Sequence, residues 1–166
     1  MSETVDKVLD YLGEKPPKLA AAPQASALKR KAATGGWAVK TQTGSRVVQG
    51  SIRAPQLPSR AVGRLAAKLS VSPEIVLYVS DISERTFQRR QANQEPLTEA
   101  ESDRVLRIAR VAREAERVFG NGDKASRWLS SGNRILGAKP LDLLGTDAGA
   151  RDVEYELVRI DHGDFT

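Results

Sequence analysis

The sequence predicts an all-α fold, and three observations carry that prediction. Apolar residues recur three and four apart along most of residues 58–161, the period of helices with one buried face. Helix-starting residues stand at the head of these runs: Ser72 with Pro73, Ser83, Thr98 with Glu101 three residues on, and Thr146. Hydrophobic residues make up 40% of the 166 but aromatic ones only 5%, which suits small helices packed through Leu, Val, Ile and Ala better than a sheet.

Residues 2–12 place Val5, Val8, Leu9 and Leu12 at helical spacing behind Ser2 as cap. An isolated helix below roughly 12 to 15 residues does not offset its nucleation cost, so this one needs a partner surface or frays. Residues 14–36 are rich in Pro, Ala and Lys, with Pro16, Pro17 and Pro23, and read as a linker; its Lys29-Arg30-Lys31 run is either solvated or drawn to phosphates. The alternation Trp37, Val39, Thr41 reads as a weak hairpin over residues 37–53, although residues 47–53 fit a short helix equally well.

From Pro58 the helical pattern is strong. Val62, Leu65, Ala66 and Leu69 make one face; Ser72 and Pro73 then start a short helix holding Ile75, Val76 and Val79. Ser83 caps a third helix, anchored by Phe87 with help from Ile82. Its outward side carries Arg85 and Arg89, four apart, with Gln88 between them. Thr98 and Glu101 form a capping box that opens the longest helix, running to about Phe119. Asn121 then caps residues 124–129, which offer Trp128 and Leu129 to a core. Two apolar turns closed by Gly137 and Gly145 lead, through Asn133 and Pro140, to a last helix capped by Thr146. Its stripe Ala150, Val153, Leu157 and Ile160 is expected to pack on Trp128 and Leu136. The opposite residues Arg151, Glu154, Tyr155, Arg159 and Asp161, then His162, Gly163, Asp164, Phe165 and Thr166, are left to meet a partner.

The net charge of +5 is unevenly spread. Residues 1–57 carry nine Lys and Arg against four acids, and residues 120–166 six against eight, so the two ends of the chain favour different partners. With no cysteine and one histidine, disulfides, thiolate metal sites and a cysteine nucleophile are excluded, and neither a metal nor a cofactor is expected. His162 lies beside Asp161 and Asp164, but no nucleophile elbow precedes it, so the chain is expected not to be an enzyme and to have no small-molecule substrate. No stretch approaches the ~20 apolar residues of a membrane span, and the acidic N-terminus lacks the character of a signal peptide. A cytoplasmic protein is expected.

Helix, short helix, tight turn and basic helix over residues 58–91 is the layout of a helix-turn-helix, whose last helix enters the major groove of DNA. Arg85 and Arg89 suit guanine and Gln88 adenine, while Ser83, Thr86 and Arg90 suit phosphates. Each base contact is worth about 1 to 3 kcal/mol, too little for one helix to select a genomic site, so a homodimer is implied. The helix of residues 98–119, apolar over much of its circumference, is the expected dimer contact.

A series of short motifs in fixed order resembles the Xre/MbcA/ParS antitoxins: Ile82-Ser83-Glu84-Arg85-Thr86, Leu97-Thr98-Glu99-Ala100-Glu101, Ala125-Ser126-Arg127-Trp128-Leu129, Asn133-Arg134-Ile135-Leu136-Gly137, Pro140-Leu141-Asp142-Leu143-Leu144 and Ile160-Asp161-His162-Gly163. The resemblance covers roughly residues 56–166. It implies a toxin partner, often of the RES type that consumes NAD, with the C-terminal segment covering the entrance to the nucleotide pocket, and a helix-turn-helix that represses the operon at its operator DNA. It also favours helix for residues 47–53. The expected organisation is a partly flexible N-terminal extension (residues 1–55), an Xre-like helix-turn-helix with a long dimerisation helix (56–119) and a small helical toxin-binding domain (120–166). The alternative function is a stand-alone dimeric transcriptional regulator with a C-terminal oligomerisation domain.

Overall fold

Four of the helix starts read from the sequence are matched by bonds, while Ser72 heads its helix with no side-chain cap bond. Ser83 Oγ accepts the Thr86 amide at 3.3 Å, and Asn121 Oδ1 accepts the amides of Asp123 and Lys124 at 2.9 and 3.1 Å. Thr98 Oγ1 accepts the Glu101 amide at 3.3 Å while the Glu101 carboxylate takes the Thr98 amide at 2.8 Å, completing the capping box. Thr146 Oγ1 accepts the Gly149 amide at 3.1 Å. The computed structural model describes residues 2–14 and 56–163. Their helices are α1 (Ser2–Tyr11), α2 (Arg60–Lys68), α3 (Pro73–Val79), α4 (Glu84–Asn93), α5 (Glu99–Phe119), α6 (Gly122–Ser130), α7 (Pro140–Leu143) and α8 (Asp147–Asp161). Among the described residues there is no strand, only an isolated bridge between Pro58 and Pro96, so the fold is all-α as expected. The hairpin or helix of residues 37–53 and nearly all of the linker lie outside the described residues.

The core is built around α5. Val105, Ile108, Ala109, Val111, Ala112 and Ala115 are fully buried, with α1, α6 and α8 packed around the helix. Much of the apolar circumference of α5 is thus buried within the chain, while Leu106, Val118 and Phe119 remain partly buried. Apolar burial at about 25 cal/mol per Å² favours this arrangement, since the small Ala109, Ala112 and Ala115 let neighbouring helices approach closely.

The first helix finds the partner surface it needs. Val8, Leu9 and Leu12 are at most 2% exposed, and the Tyr11 hydroxyl donates to Glu116 of α5 at 2.7 Å. Lys68 Nζ lies 4.1 Å from the centroid of the Tyr11 ring. Burial, then the Glu116 carboxylate, pushes the Tyr11 phenol above its ordinary value. Glu14, expected to begin the linker, is instead buried. It accepts Nε and Nη2 of Arg60 at 3.1 and 2.9 Å and Nη1 of Arg64 at 2.8 Å, and Arg64 also donates to the Gly13 carbonyl at 2.7 Å. The reason is charge: a carboxylate removed from water needs paired cations, and α2 supplies two.

In the C-terminal part, Asn133 Oδ1 accepts the amides of Ile135 and Leu136 at 2.8 and 3.1 Å, which shapes the turn ahead of α7. The step from α7 to α8 is tight. A Cβ on Gly149 would lie 2.2 Å from the Leu143 carbonyl oxygen, so the first turn of α8 can seat only a glycine there.

Candidate nucleic-acid interface and docking helix

The turn of residues 80–83 that aims α4 is held from outside by α5. Arg104 Nη1 donates to the Ser80 carbonyl at 3.2 Å and pairs with Asp81 at 3.3 Å, and Asp81 itself takes a left-handed φ of +52°. Ile82 and Phe87, 5% and 8% exposed, are the apolar anchors of α4, which leaves its outer side free. Arg85, Gln88 and Arg89 are all exposed, as the sequence leads one to expect of a base-reading face.

The other three residues of that set are more committed. Ser83 Oγ donates to Thr86 Oγ1 at 2.7 Å besides capping the helix, so these two hydroxyls are bonded to one another. Arg90 is a correction: it turns inward and pairs with Glu101 at the start of α5, with only 12% of its side chain exposed. It pins α4 to α5 instead of reaching outward for a phosphate. Burial pushes the Glu101 carboxyl up, but the Arg90 guanidinium and the bonds from Thr98 outweigh it and hold the group below the usual glutamate range.

Helix α8 lies along α5. Ala150, Val153 and Leu157 are buried, while Ile160 is half-buried. Their main neighbours are α5 and α7; Trp128 and Leu136 are partly buried against the same core, and Trp128 meets the ring of Phe119, with centroids 5.5 Å apart. A row of arginines on α5 fastens the flank of α8: Arg107 to Asp147 at 2.8 Å, Arg110 to Glu154 at 3.0 Å and Arg117 to Asp161 at 2.7 Å. The Arg117 bond holds the Asp161 carboxyl below its ordinary range.

Three of the expected partner-meeting residues are thereby spent inside the chain: Glu154 and Asp161 on α5, and Arg159 on Glu156 at 3.1 Å. What stands outward is a narrower strip. Arg151, Tyr155 and His162 are exposed, Tyr155 to 70%, and Val158, 48% exposed, joins them. Residues 151, 155, 158 and 162 follow a spacing of four, three and four, which puts them on one line of the helix. Gly163 is exposed at a φ of +77°, and Asp164, Phe165 and Thr166 lie outside the described residues. The exposure of Val158 was signalled by its position between Tyr155 and His162, off the buried stripe. Glu14 and the α5 arginine row gave no local signal, because their partners are far away in sequence.

Among the described residues no group of three or more His, Asp or Glu is arranged to hold a metal ion, and no helix is long and apolar enough to cross a membrane. Residues 52–110 match the antitoxin Xre-like helix-turn-helix domain, and residues 114–163 match the antitoxin Xre/MbcA/ParS C-terminal toxin-binding domain. The chain belongs to the Xre/MbcA/ParS antitoxin family. It is 42% identical over 80 residues to an "Antitoxin Xre" of Pseudomonas putida, covering 48% of this chain and 50% of that protein. Against an "Antitoxin Xre" of Photorhabdus laumondii it is 37% identical over 90 residues, 53% of this chain and 61% of that protein. A "Prs ADP-ribosylating antitoxin" of a Sphingobium species is 30% identical over 112 residues, 61% of this chain and 70% of that protein. The chain thus spans about half to three fifths of the length of the first two relatives. The two family domains meet inside α5, so a single continuous helix joins them.

Proposed function

We propose that the chain is the antitoxin of a toxin-antitoxin pair: its C-terminal domain binds and blocks a toxin that consumes NAD, and its helix-turn-helix represses the operon that encodes both. The observation that carries this reading is the presence of two outward surfaces of different chemistry on one scaffold. Arg85, Gln88 and Arg89 on α4 offer guanidinium and amide groups to base edges. Arg151, Tyr155, Val158 and His162 on α8 offer a helix face with an aromatic anchor, the kind of feature that seats in a groove of a protein partner. To Gly163, Asp164, Phe165 and Thr166 this reading assigns the blocking of the toxin's nucleotide pocket. The relative named for ADP-ribosylation supports a toxin that uses NAD, the RES type among them. The antitoxin itself acts by occupancy and carries out no catalysis, and its place of action is the cytoplasm.

Two variants separate the activities. With the toxin encoded beside the gene co-expressed, Arg85→Ala with Arg89→Ala is expected to retain full growth rescue and to lose at least tenfold in affinity for the upstream promoter DNA at fixed salt, about 1 to 3 kcal/mol per base contact. Tyr155→Ala combined with removal of residues 163–166 should do the reverse. If promoter affinity is unchanged in the first variant, the recognition-helix assignment is wrong; full rescue by the second removes the docking assignment.

A further inference from the structure

Along α5, Arg110, Arg113 and Arg117 follow a spacing of three and four and so share one line of the helix. On α8, Glu154, Val158 and Asp161 follow four and three and share a line as well. The outer two rungs between these lines are ion pairs, Arg110 to Glu154 at 3.0 Å and Arg117 to Asp161 at 2.7 Å. The middle rung is not, because the α8 position that would supply its acid is Val158. Arg113 is half-buried, and its Nε is shut off from water with no hydrogen-bond partner among the described residues. A guanidinium that loses water on one side and gains no acceptor carries a desolvation cost that nothing in the free chain returns.

We propose that Arg113 is a docking residue: its guanidinium takes a carboxylate that the toxin supplies, and so completes the row from outside. This rests on the toxin-binding reading above and adds the chemistry of the toxin surface that α5 meets. Residue 113 falls between the two matched stretches, residues 52–110 and 114–163, so neither family match covers it. Val158 ties it to the docking face, since that residue belongs both to the row and to the outward strip of Tyr155 and Arg151. Charge decides the sign of the partner. Residues 120–166 carry six Lys and Arg against eight acids, yet here Arg110, Arg113, Arg117 and Arg151 face only Glu114, Glu154 and Asp161. A cation in excess beside exposed Val158 and Tyr155, 48% and 70% exposed, fits an acidic protein surface with an apolar group next to its carboxylate. DNA phosphates would leave those two apolar side chains without a use. An arginine suits a carboxylate because its planar fork offers two parallel donors.

The purified protein encoded beside the gene is the probe, and its affinity for the full chain is measured by titration calorimetry at two salt concentrations. Promoter affinity and thermal unfolding are measured on the same preparations. Arg113→Gln is expected to lose at least tenfold in affinity for the probe and to show a flatter salt dependence than the parent, because one charge-to-charge contact is gone. Arg113→Lys keeps the charge without the fork and should fall between the two. Promoter affinity and the thermal midpoint should stay at the parent values. A parent chain that does not bind the probe removes the toxin-binding reading and this proposal with it. A parent that binds while Arg113→Gln binds equally well removes this proposal alone. Loss of promoter affinity at unchanged probe affinity assigns the cation to DNA and overturns it. Weakening shared equally by Gln and Lys, together with a lower thermal midpoint, marks a structural role and also overturns it.

Discussion

Arg90 shows how a residue type misleads when its neighbours in space are unknown. Within α4 it looks like one more cation of a basic helix. In three dimensions it is the partner of Glu101, half of whose job, the cap on Thr98, was legible from a spacing of three. Local signals such as Ser83, Thr98, Asn121 and Thr146 could be read because partner and cap are within three residues of one another. Arg90 with Glu101, or Glu14 with Arg60 and Arg64, span 11 to 50 residues and leave no periodic trace. The Glu101 carboxyl titrates below its ordinary range when folded, so the pair contributes fully above about pH 4.3, the unfolded value, and that contribution is lost as pH falls through the lower folded value. Glu101→Gln keeps the cap but not the charge. Its denaturant-unfolding stability should fall less between neutral and acid pH than that of the parent chain, and parallel pH profiles would refute the pairing argument. Arg90→Ala should cost about 2 kcal/mol at neutral pH.

Helices behave differently according to what lies over each glycine. Gly149 is packed against the backbone of Leu143, and an added Cβ at 2.2 Å from a carbonyl cannot be relieved by rotating a side chain. Gly149→Ala is therefore expected to destabilise by about 1 to 3 kcal/mol through overpacking, and to weaken toxin binding because α8 shifts on α7. Gly63 is the opposite case: it lies inside α2 with nothing within 4 Å of its would-be Cβ. Gly63→Ala should stabilise by about 0.5 to 1 kcal/mol. Thermal unfolding of the two variants should move in opposite directions; a shared sign would contradict the geometry. From the sequence both are single glycines in helical patterns, and only the closeness of the next turn distinguishes them.

At the scale of the whole molecule, the helix order and the identity of most core residues were legible, because a period of 3.6 with caps defines each element locally. Which helix packs on which was not. Much of the apolar circumference of α5 is taken up by α1, α6 and α8, and the N-terminal segment proves to be part of the core. Truncating Leu9 to Ala should accordingly cost about 2 to 5 kcal/mol, a large share of the ~5 to 15 kcal/mol that holds an ordinary domain together, and calorimetry should show one transition at lower temperature. An unaffected midpoint would mean that α1 is dispensable. Tyr11 and Glu116, which join α1 to α5, are 105 residues apart. On a ribosome adding about 5 to 20 residues per second, α1 emerges roughly 5 to 20 s before the surface that receives it. Throughout that interval its leucines stay accessible to chaperones and proteases, so each new chain passes a window in which it can be destroyed before it is able to protect anything.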